Sequence, residues 1–312
     1  MNTAITDSMS LPKTLVIGAA GFLGRSIVEG LTSSGAPVVG LASRKPDGII
    51  FDRFHTGRSE LIGTLLAALD GCECVIFAGG TTRPGSSMTN ISAELDVEAG
   101  HIIDIAELCA ARGVKKFVFI SSGGAIYGRT DEHFIAESHP TRPISNYGLV
   151  KLVAEHGLRI VSERTGLVTL SLRVANPFGF GQVVKGGQGF IAALINAVRN
   201  EKPVQLWGDG SVVRDFLHVN DVVSAAIAAV KVDCQSEILN VGSGVGHSML
   251  EVIGCFERVL GREVKCELLP GRNVDVSRVV LDISKAAKLL GWSPSLSLES
   301  GMRLTVEREG LL

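Results

Sequence analysis

Tyr147 and Lys151 are the residues in this chain whose types and spacing most directly suggest proton transfer. They form the pattern Y-x-x-x-K, and a spacing of four places both side chains on one face of a helix. An ammonium group close to a phenol lowers the pKa of the phenol, which suits it to remove a proton from a hydroxyl group near neutral pH. Because the pattern is common by chance, its meaning depends on the elements around it.

A glycine-rich loop predicts a dinucleotide-binding site. In GAAGFLG, Gly18, Gly21 and Gly24 follow a buried apolar run and open a helical pattern. Gly18 would allow the tight turn, Gly21 a close approach of the backbone to a pyrophosphate, and Gly24 close packing of helix and strand. Phe22 and Leu23 of the same loop are further candidates for binding the cofactor, and the helix N-terminus stabilises negative charge.

The end of the second strand bears on the choice between NAD and NADP. Ala42 stands where NAD-binding sheets usually carry Asp or Glu. Ser43 and Arg44 follow, and a hydroxyl beside a guanidinium suits a 2′-phosphate, which favours NADP. A solvated turn with an incidental arginine is the alternative. Asp52, expected to close the next strand, is a candidate for contact with the adenine.

These motifs lie in a regular alternation of short apolar runs and amphipathic segments. Buried parallel strands are predicted at 14–18, 37–42, 74–79, 116–121 and 167–173. Helices are predicted near 22–34, 59–69, 92–112 and 147–165. This alternation is typical of α/β proteins with a Rossmann-type doubly wound parallel sheet.

The pattern becomes less regular after residue 175. A helix near 221–230 and a strand at 237–242 suggest that the chain returns to the main sheet. We therefore expect an NAD(P)-binding Rossmann domain over residues 1–175, rejoined by 221–242, and a smaller C-terminal substrate-binding lobe over 176–312.

Together the motifs resemble those of the extended short-chain dehydrogenase/reductase family, the NAD(P)-dependent nucleotide-sugar epimerases and dehydratases, and in particular UDP-glucose 4-epimerases. The resemblance covers roughly residues 13–309. Besides the glycine loop and Tyr147/Lys151, the matching segments are FVFISSGGAIYG (117–128), LRVANPFGFGQ (172–182), GDGSVVRDFLHVNDV (208–222), LNVGSG (239–244), PGRNVDVSRVVLDISKA (270–286) and LGWSP (290–294).

The resemblance implies roles for the catalytic residues. Tyr147 would be the acid/base, and Lys151 would hold the nicotinamide ribose and tune Tyr147. The family's third residue is a Ser or Thr at the position that Gly123 occupies here. We expect Ser122, one residue earlier, to supply the hydroxyl group.

The same loop excludes several reactions of the family. The 4,6-dehydratases need an Asp-Glu pair, and the nucleotide-sugar decarboxylases a Glu, where this chain has Gly124 and Ala125. The fucose-synthase type uses a loop cysteine and a later histidine, and Gly181 stands at the histidine position. Oxidation and reduction at one carbon remain.

The resemblance also implies a substrate site. Asn176 would contact the sugar nucleotide, and Arg214 and Arg272 would bind its diphosphate through bidentate charged hydrogen bonds. Val279 aligns with a position that gates the 2-substituent of the sugar, and its small side chain would leave room for an acetamido group.

We therefore predict a 4-epimerase of UDP-hexoses or UDP-N-acetylhexosamines that oxidises C4 transiently and returns the hydride. The alternatives are an NADPH-dependent reductase of 4-keto sugar nucleotides and a non-catalytic dinucleotide-binding protein. NAD is the family's usual cofactor, whereas the residues around Arg44 favour NADP. A homodimer is implied by the resemblance, through the helices near 92–112 and 147–165.

Composition argues against other classes of function. Thirty basic and 32 acidic residues give a net charge of -2, so no broad cationic field favours nucleic acid or an anionic membrane. No apolar run reaches the roughly 18 residues of a transmembrane helix, and the N-terminus has no leader pattern. Six scattered cysteines show no metal spacing and suit a reducing cytoplasm.

Overall fold

The computed structural model describes residues 11–80, 90–184, 189–271 and 276–312. Its main sheet contains β1 (Thr14–Ile17), β2 (Val38–Ala42), β3 (Arg53–Thr56), β4 (Cys74–Phe77), β5 (Lys116–Ser122), β6 (Val168–Val174) and, after three strands of the second lobe, β10 (Glu237–Val241). Their order is β10-β6-β5-β4-β1-β2-β3, and every pairing is parallel. The predicted Rossmann-type fold is therefore confirmed.

The helices that accompany this sheet are α1 (Phe22–Ser33), α2 (Ile62–Leu69), α3 (Ile91–Glu94), α4 (His101–Ala111), α5 (Asn146–Thr165), α7 (Val219–Lys231) and α9 (Ser284–Leu290). A π-helical segment, Leu95–Gly100, joins α3 to α4 and is called the π turn below.

The C-terminal part adds smaller sheets. Its strands are β7 (Asn176–Phe178), β8 (Val204–Trp207), β9 (Val213–His218), β11 (Gly246–Ser248), β12 (Cys266–Leu269) and β13 (Arg278–Val279). Its helices are α6 (Phe190–Arg199), α8 (Met249–Leu260) and α10 (Leu298–Arg308). β9 pairs with β7, β11 and β13, and β8 pairs with β12. The predicted boundary near residue 175 falls between β6 and β7.

Two apolar layers enclose the main sheet, because successive strand residues point to opposite faces. Val16 packs with Ile27 of α1 and Val222 of α7 on one face. Leu15 and Ile17 pack with the residues of α4 and α5 on the other. Burial of a side chain of this size contributes roughly 1.5–3 kcal/mol, so both layers hold the carboxyl ends of the strands in place.

The helix that carries Tyr147 has defined ends. Ser145 caps α5, since its hydroxyl accepts a hydrogen bond from the backbone N–H of Gly148. Gly166 ends the helix in the left-handed region, with φ of 78°. These signals place Tyr147 in the first turn of α5 and Lys151 one turn later.

Two details differ from the predictions. The single helix expected over 92–112 is divided by the π turn, which the 3.6-residue period of the sequence does not reveal. The strand expected to close at Asp52 instead begins after it, at Arg53. In the part of the chain that the structure describes, no helix combines the length and apolar character needed to cross a membrane.

Candidate active site

The glycine loop forms a tight cradle at the carboxyl edge of the main sheet. Gly18 has φ of +84°, and a Cβ there would lie 2.7 Å from the Gly79 Cα that follows β4. A Cβ on Gly24 would lie 2.1 Å from the Gly18 carbonyl oxygen, so α1 packs directly on the loop. Gly21 precedes α1, and Phe22 and Leu23 form its first turn. This exposed helix N-terminus fits the pyrophosphate of a dinucleotide.

The residues expected to choose the cofactor lie at the same edge. Ser43 and Arg44 follow β2 directly and both are exposed, while Ala42 is partly buried at the strand's end. No carboxylate therefore occupies the end of β2, as the sequence indicates.

Asp52 lies at the opposite edge of the sheet, and its predicted contact with adenine is wrong. Its backbone N–H donates to the carbonyl of Val38 at the start of β2, and its carboxylate lies 3.3 Å from the Lys13 ammonium. A dinucleotide binds at the carboxyl ends of parallel strands, whereas Asp52 is at the amino ends. The apolar Ile49 and Phe51 pack on the core from a loop, which explains why the segment resembles a strand.

Tyr147, Lys151 and Ser122 come together at the carboxyl end of β5. The Ser122 hydroxyl forms a hydrogen bond with Tyr147. Burial raises the pKa of Tyr147 to about 12, and the hydrogen bond with Ser122 opposes this shift. The Lys151 ammonium lies 5.6 Å from the centre of the Tyr147 ring and 4.9 Å from that of Phe119. The half-buried Tyr147 residue thus lies beside the buried ammonium of Lys151.

A side chain at Gly123 would be crowded in this packing. A Cβ there would lie 2.5 Å from Leu281 Cδ1 and 3.0 Å from the carbonyl oxygen of Arg173. Leu281 is fully buried, so it fills the space that a hydroxyl-bearing residue at 123 would need. This contact disfavours a hydroxyl-bearing residue at position 123, and Ser122 is the neighbouring residue that carries a hydroxyl group.

The expected substrate residues lie on neighbouring strands of the second lobe. Arg214 of β9 stands opposite Val279 of β13, and its guanidinium donates to the Val213 carbonyl. The Asn176 amide donates to the backbone carbonyl of Asp215, and its oxygen lies 3.7 Å from where a Gly124 Cβ would be. Asn176 therefore joins this lobe to the loop after β5. Arg272 lies outside the described residues.

Val279 is more enclosed than the sequence suggests. It is 3% exposed and packs in an apolar cluster with Tyr127, Ile135 and Leu281. Its side chain is therefore part of the packing behind the loop after β5.

Sequence reasoning missed two buried carboxylates, one in the π turn and one in α5. Glu98 of the π turn lies 3.9 Å from the Lys151 ammonium. Glu155 of α5 binds the Arg173 guanidinium at distances of 2.7–3.1 Å and accepts a hydrogen bond from Ser121. The sequence contains a signal of burial for both sites. Glu98 shares a helical face with the apolar Ile102 and Ile105, and Arg173, the partner of Glu155, is a charged residue within the apolar strand LSLRV.

Comparison with known proteins decides the family. The model of the NAD dependent epimerase/dehydratase family matches residues 14–242. The chain belongs to this family. It is thus an enzyme of an NAD-dependent family, in agreement with the glycine loop and the Tyr147/Lys151 pair.

Members of the family that are similar to this chain differ in reaction. A putative UDP-glucose 4-epimerase of Methanocaldococcus jannaschii is 31% identical over 308 residues, covering 94% of this chain and 96% of the relative. A dTDP-4-dehydro-6-deoxyglucose reductase of Escherichia coli is 27% identical over 299 residues, covering 92% and 94%. The crystal structure of the Thermus thermophilus UDP-glucose 4-epimerase in complex with NAD superimposes with a TM-score of 0.87 at 31% identity, covering 96% and 99%.

Proposed function

We propose that this family member is a 4-epimerase of UDP-hexoses. The observation that carries the proposal is the placement of Tyr147, bonded to Ser122 and close to Lys151, at the sheet edge that also bears the glycine loop. Gly123, Gly124 and Ala125 follow Ser122 and have no group that could transfer a second proton. This loop therefore suits oxidation and reduction at one carbon, and its three residues supply no acid or base for loss of water.

The residues would divide the chemistry as follows. Tyr147 removes the proton of the 4-hydroxyl group, and Ser122 hydrogen-bonds the same oxygen and holds it in place. The Lys151 ammonium stabilises the tyrosinate electrostatically. NAD(P), when bound, would supply a nicotinamide ring that accepts the hydride from C4 of the sugar and later returns it to C4. Tyr147 then returns the proton after the 4-keto sugar has presented its other face.

The cofactor would lie along the carboxyl edge of the main sheet. Gly18, Gly21 and Gly24 with the first turn of α1 would hold the pyrophosphate, and Lys151 the nicotinamide ribose. We expect NADP to bind at least as tightly as NAD, because Ser43 and Arg44 are exposed at the end of β2 and no carboxylate competes with a 2′-phosphate. Isothermal titration with each dinucleotide measures this preference.

The sugar nucleotide would lie between that edge and the second lobe. Arg214 and Arg272 would neutralise its diphosphate, and Asn176 would contact it beside the loop after β5. We also propose a homodimer through α4 and α5, because these helices pack on each other and the neighbouring Val97 and Ile160 are 57% and 54% exposed.

A second candidate is an NADPH-dependent reductase of 4-keto sugar nucleotides. Two observations favour it: the exposed Ser43–Arg44 turn and the similarity to the E. coli reductase. It would use the same Tyr147 to donate a proton to the 4-keto oxygen, so the site geometry fits both reactions.

One assay separates the two. Purified protein, with no cofactor added, is incubated with UDP-glucose, UDP-galactose and their N-acetyl counterparts, and proton NMR follows the C4 epimers. Interconversion supports the epimerase with retained cofactor, and use of the N-acetyl sugars would show that the site accepts a 2-acetamido group. No interconversion, with oxidation of NADPH by a 4-keto sugar nucleotide, would establish the reductase instead.

A further inference from the structure

Glu98 is a buried carboxylate beside the proposed catalytic lysine. Its Oε1 lies 3.9 Å from Lys151 Nζ, and each of the two side chains is only 5% exposed. This distance is that of an ion pair and exceeds a hydrogen bond. Two opposite charges are therefore enclosed together at the site, where burial strengthens their interaction.

The π turn places Glu98 at this position. Within it Glu98 and Ala99 face the interior, whereas Val97 is 57% exposed. A Cβ on Gly80, which follows β4, would lie 2.8 Å from Glu98 Oε1 and 3.7 Å from Lys151 Nζ. The ion pair thus lies against the backbone at the carboxyl end of β4, on the edge that carries the glycine loop. π-Helical turns are frequent at functional sites.

The charged and titratable groups around Lys151 come from several elements. Among the described residues, Glu98 of the π turn and Glu155 of α5 act on its ammonium, and the ring of Tyr147 lies 5.6 Å away. β5 contributes the uncharged ring of Phe119. Glu94, four residues before Glu98, is buried as well.

The two carboxylates are not equivalent. Glu155 is bound by the Arg173 guanidinium through both oxygens and by the Ser121 hydroxyl, so its charge is already compensated. Burial holds the pKa of Lys151 below its ordinary value, and Glu98, followed by Glu155, opposes this shift. Glu98 is therefore the main acidic partner of Lys151.

We propose that Glu98 is a positioning residue that keeps Lys151 protonated inside the site and so preserves the cation beside Tyr147. The consequence for turnover rests on the proposed function, in which Tyr147 transfers the proton. The effect on Lys151 itself does not depend on which sugar the enzyme uses.

The chain offers a matched control. Glu107 of α4 also pairs with a cation of α5, Arg164, but both side chains are exposed. Glu107→Gln removes a carboxylate from the same helix pair without touching the site. Glu98→Asp keeps the charge at a greater distance from Lys151, and serves if Glu98→Gln fails to fold.

The experiment is an NMR titration of protein labelled with 13C at lysine Cε. The Lys151 resonance is assigned by its loss in Lys151→Arg. We expect Glu98→Gln to lower the titration midpoint of Lys151 by about one pH unit or more, Glu98→Asp to lower it by less, and Glu107→Gln to leave it unchanged. An unchanged midpoint in Glu98→Gln, or in Glu98→Asp if only that variant folds, would overturn the proposal.

Turnover provides the second readout. For an active enzyme, the alkaline limb of the kcat profile should move to lower pH in Glu98→Gln by the same amount as the midpoint, with KM little changed. An equal loss of kcat at every pH would indicate a merely structural role and contradict the proposal. If the wild type converts no UDP-sugar, the proposed function fails, and the lysine titration still decides the role of Glu98.

Discussion

Two groups, each with a tyrosine, a cation and a glutamate, are built around α5 and β5, and they differ in how fully they are bonded. The support triad consists of Tyr127, Arg173 and Glu155. Arg173 binds Glu155 at 2.7–3.1 Å and donates to the Tyr127 hydroxyl at 2.9 Å, and that hydroxyl donates to Asn240 at 2.6 Å. Its members are at most 3% exposed.

The site triad consists of Tyr147, Lys151 and Glu98, and its members are less closely bound to each other. Lys151 is 3.9 Å from Glu98, and its ammonium lies 5.6 Å from the centre of the Tyr147 ring. A guanidinium cannot lose its proton, whereas a buried lysine can. The comparison suggests a division of roles: residues of similar type serve stability where they bond closely to one another, and the proposed chemistry uses those that lie farther apart.

The largest expected effect is on turnover, in the site triad. Tyr147→Phe should lower kcat by about 100- to 10,000-fold, because the acid/base group is lost. Its free energy of unfolding should stay within about 1 kcal/mol of the wild type, since only the hydrogen bond to Ser122 is lost. Steady-state kinetics and urea denaturation measure both. A folded variant with near wild-type kcat would remove Tyr147 from the mechanism.

The next effect is on stability, in the support triad. Glu155→Gln should lower the free energy of unfolding by about 3–5 kcal/mol, because the buried Arg173 keeps its charge without an anionic partner. Glu163→Gln, which breaks the exposed pair with Arg159 on the same helix, should cost no more than about 0.5 kcal/mol. Denaturant unfolding compares the two variants. Equal losses would mean that the buried pair is not the stabilising one.

A smaller loss is expected for the second tyrosine. Tyr127→Phe leaves Arg173 and Asn240 each without one hydrogen bond, at a cost of about 1–3 kcal/mol in unfolding free energy. The kcat of the folded variant should remain within a few-fold of the wild type. If Tyr127→Phe instead lowers kcat as Tyr147→Phe does, without loss of stability, the division between the triads is wrong.

The smallest expected effect is on the pH dependence of the unfolding free energy, and both triads contribute to it. Burial raises the pKa of both tyrosines to about 12, above the ordinary value of about 10. Above pH 10 the unfolded chain loses phenol protons that the folded chain retains, so the unfolding free energy falls as pH rises from 10 to 12. Each tyrosine should contribute about 1 kcal/mol between pH 10 and 11.

Urea denaturation at both pH values tests this in the wild type and in each Phe variant. The buried Cys74, whose pKa burial also raises to about 12, contributes equally to all three proteins and cancels in the differences. A variant with the full pH dependence of the wild type would show that its tyrosine titrates normally in the folded state.

Much of the fold can be predicted from the sequence because its strands are short, apolar and buried on both faces. The runs at 74–79 and 116–121 correspond to β4 and β5 within two residues. β3 was misplaced because apolar side chains of a loop pack on the same core as a strand. The π turn changes the number of residues per turn without changing which residues are apolar, so periodicity could not reveal it.

The candidate site likewise has features that the sequence predicts and features that it does not. Tyr147 and Lys151 could be paired from their spacing on one helix, and Ser122 from its place at the end of a strand. The contacts of Glu98 with Lys151 and of Gly123 with Leu281 join segments far apart in the chain. Such contacts depend on how elements pack, and no local pattern encodes them.

The contact between Gly123 and Leu281 also constrains how this loop can evolve. A serine introduced at 123 meets Leu281 at once, so the substitution is costly while that leucine is present. A smaller residue at 281 would on its own leave a cavity in the packing. Each single substitution should therefore destabilise the protein, and the two together should compensate each other in volume.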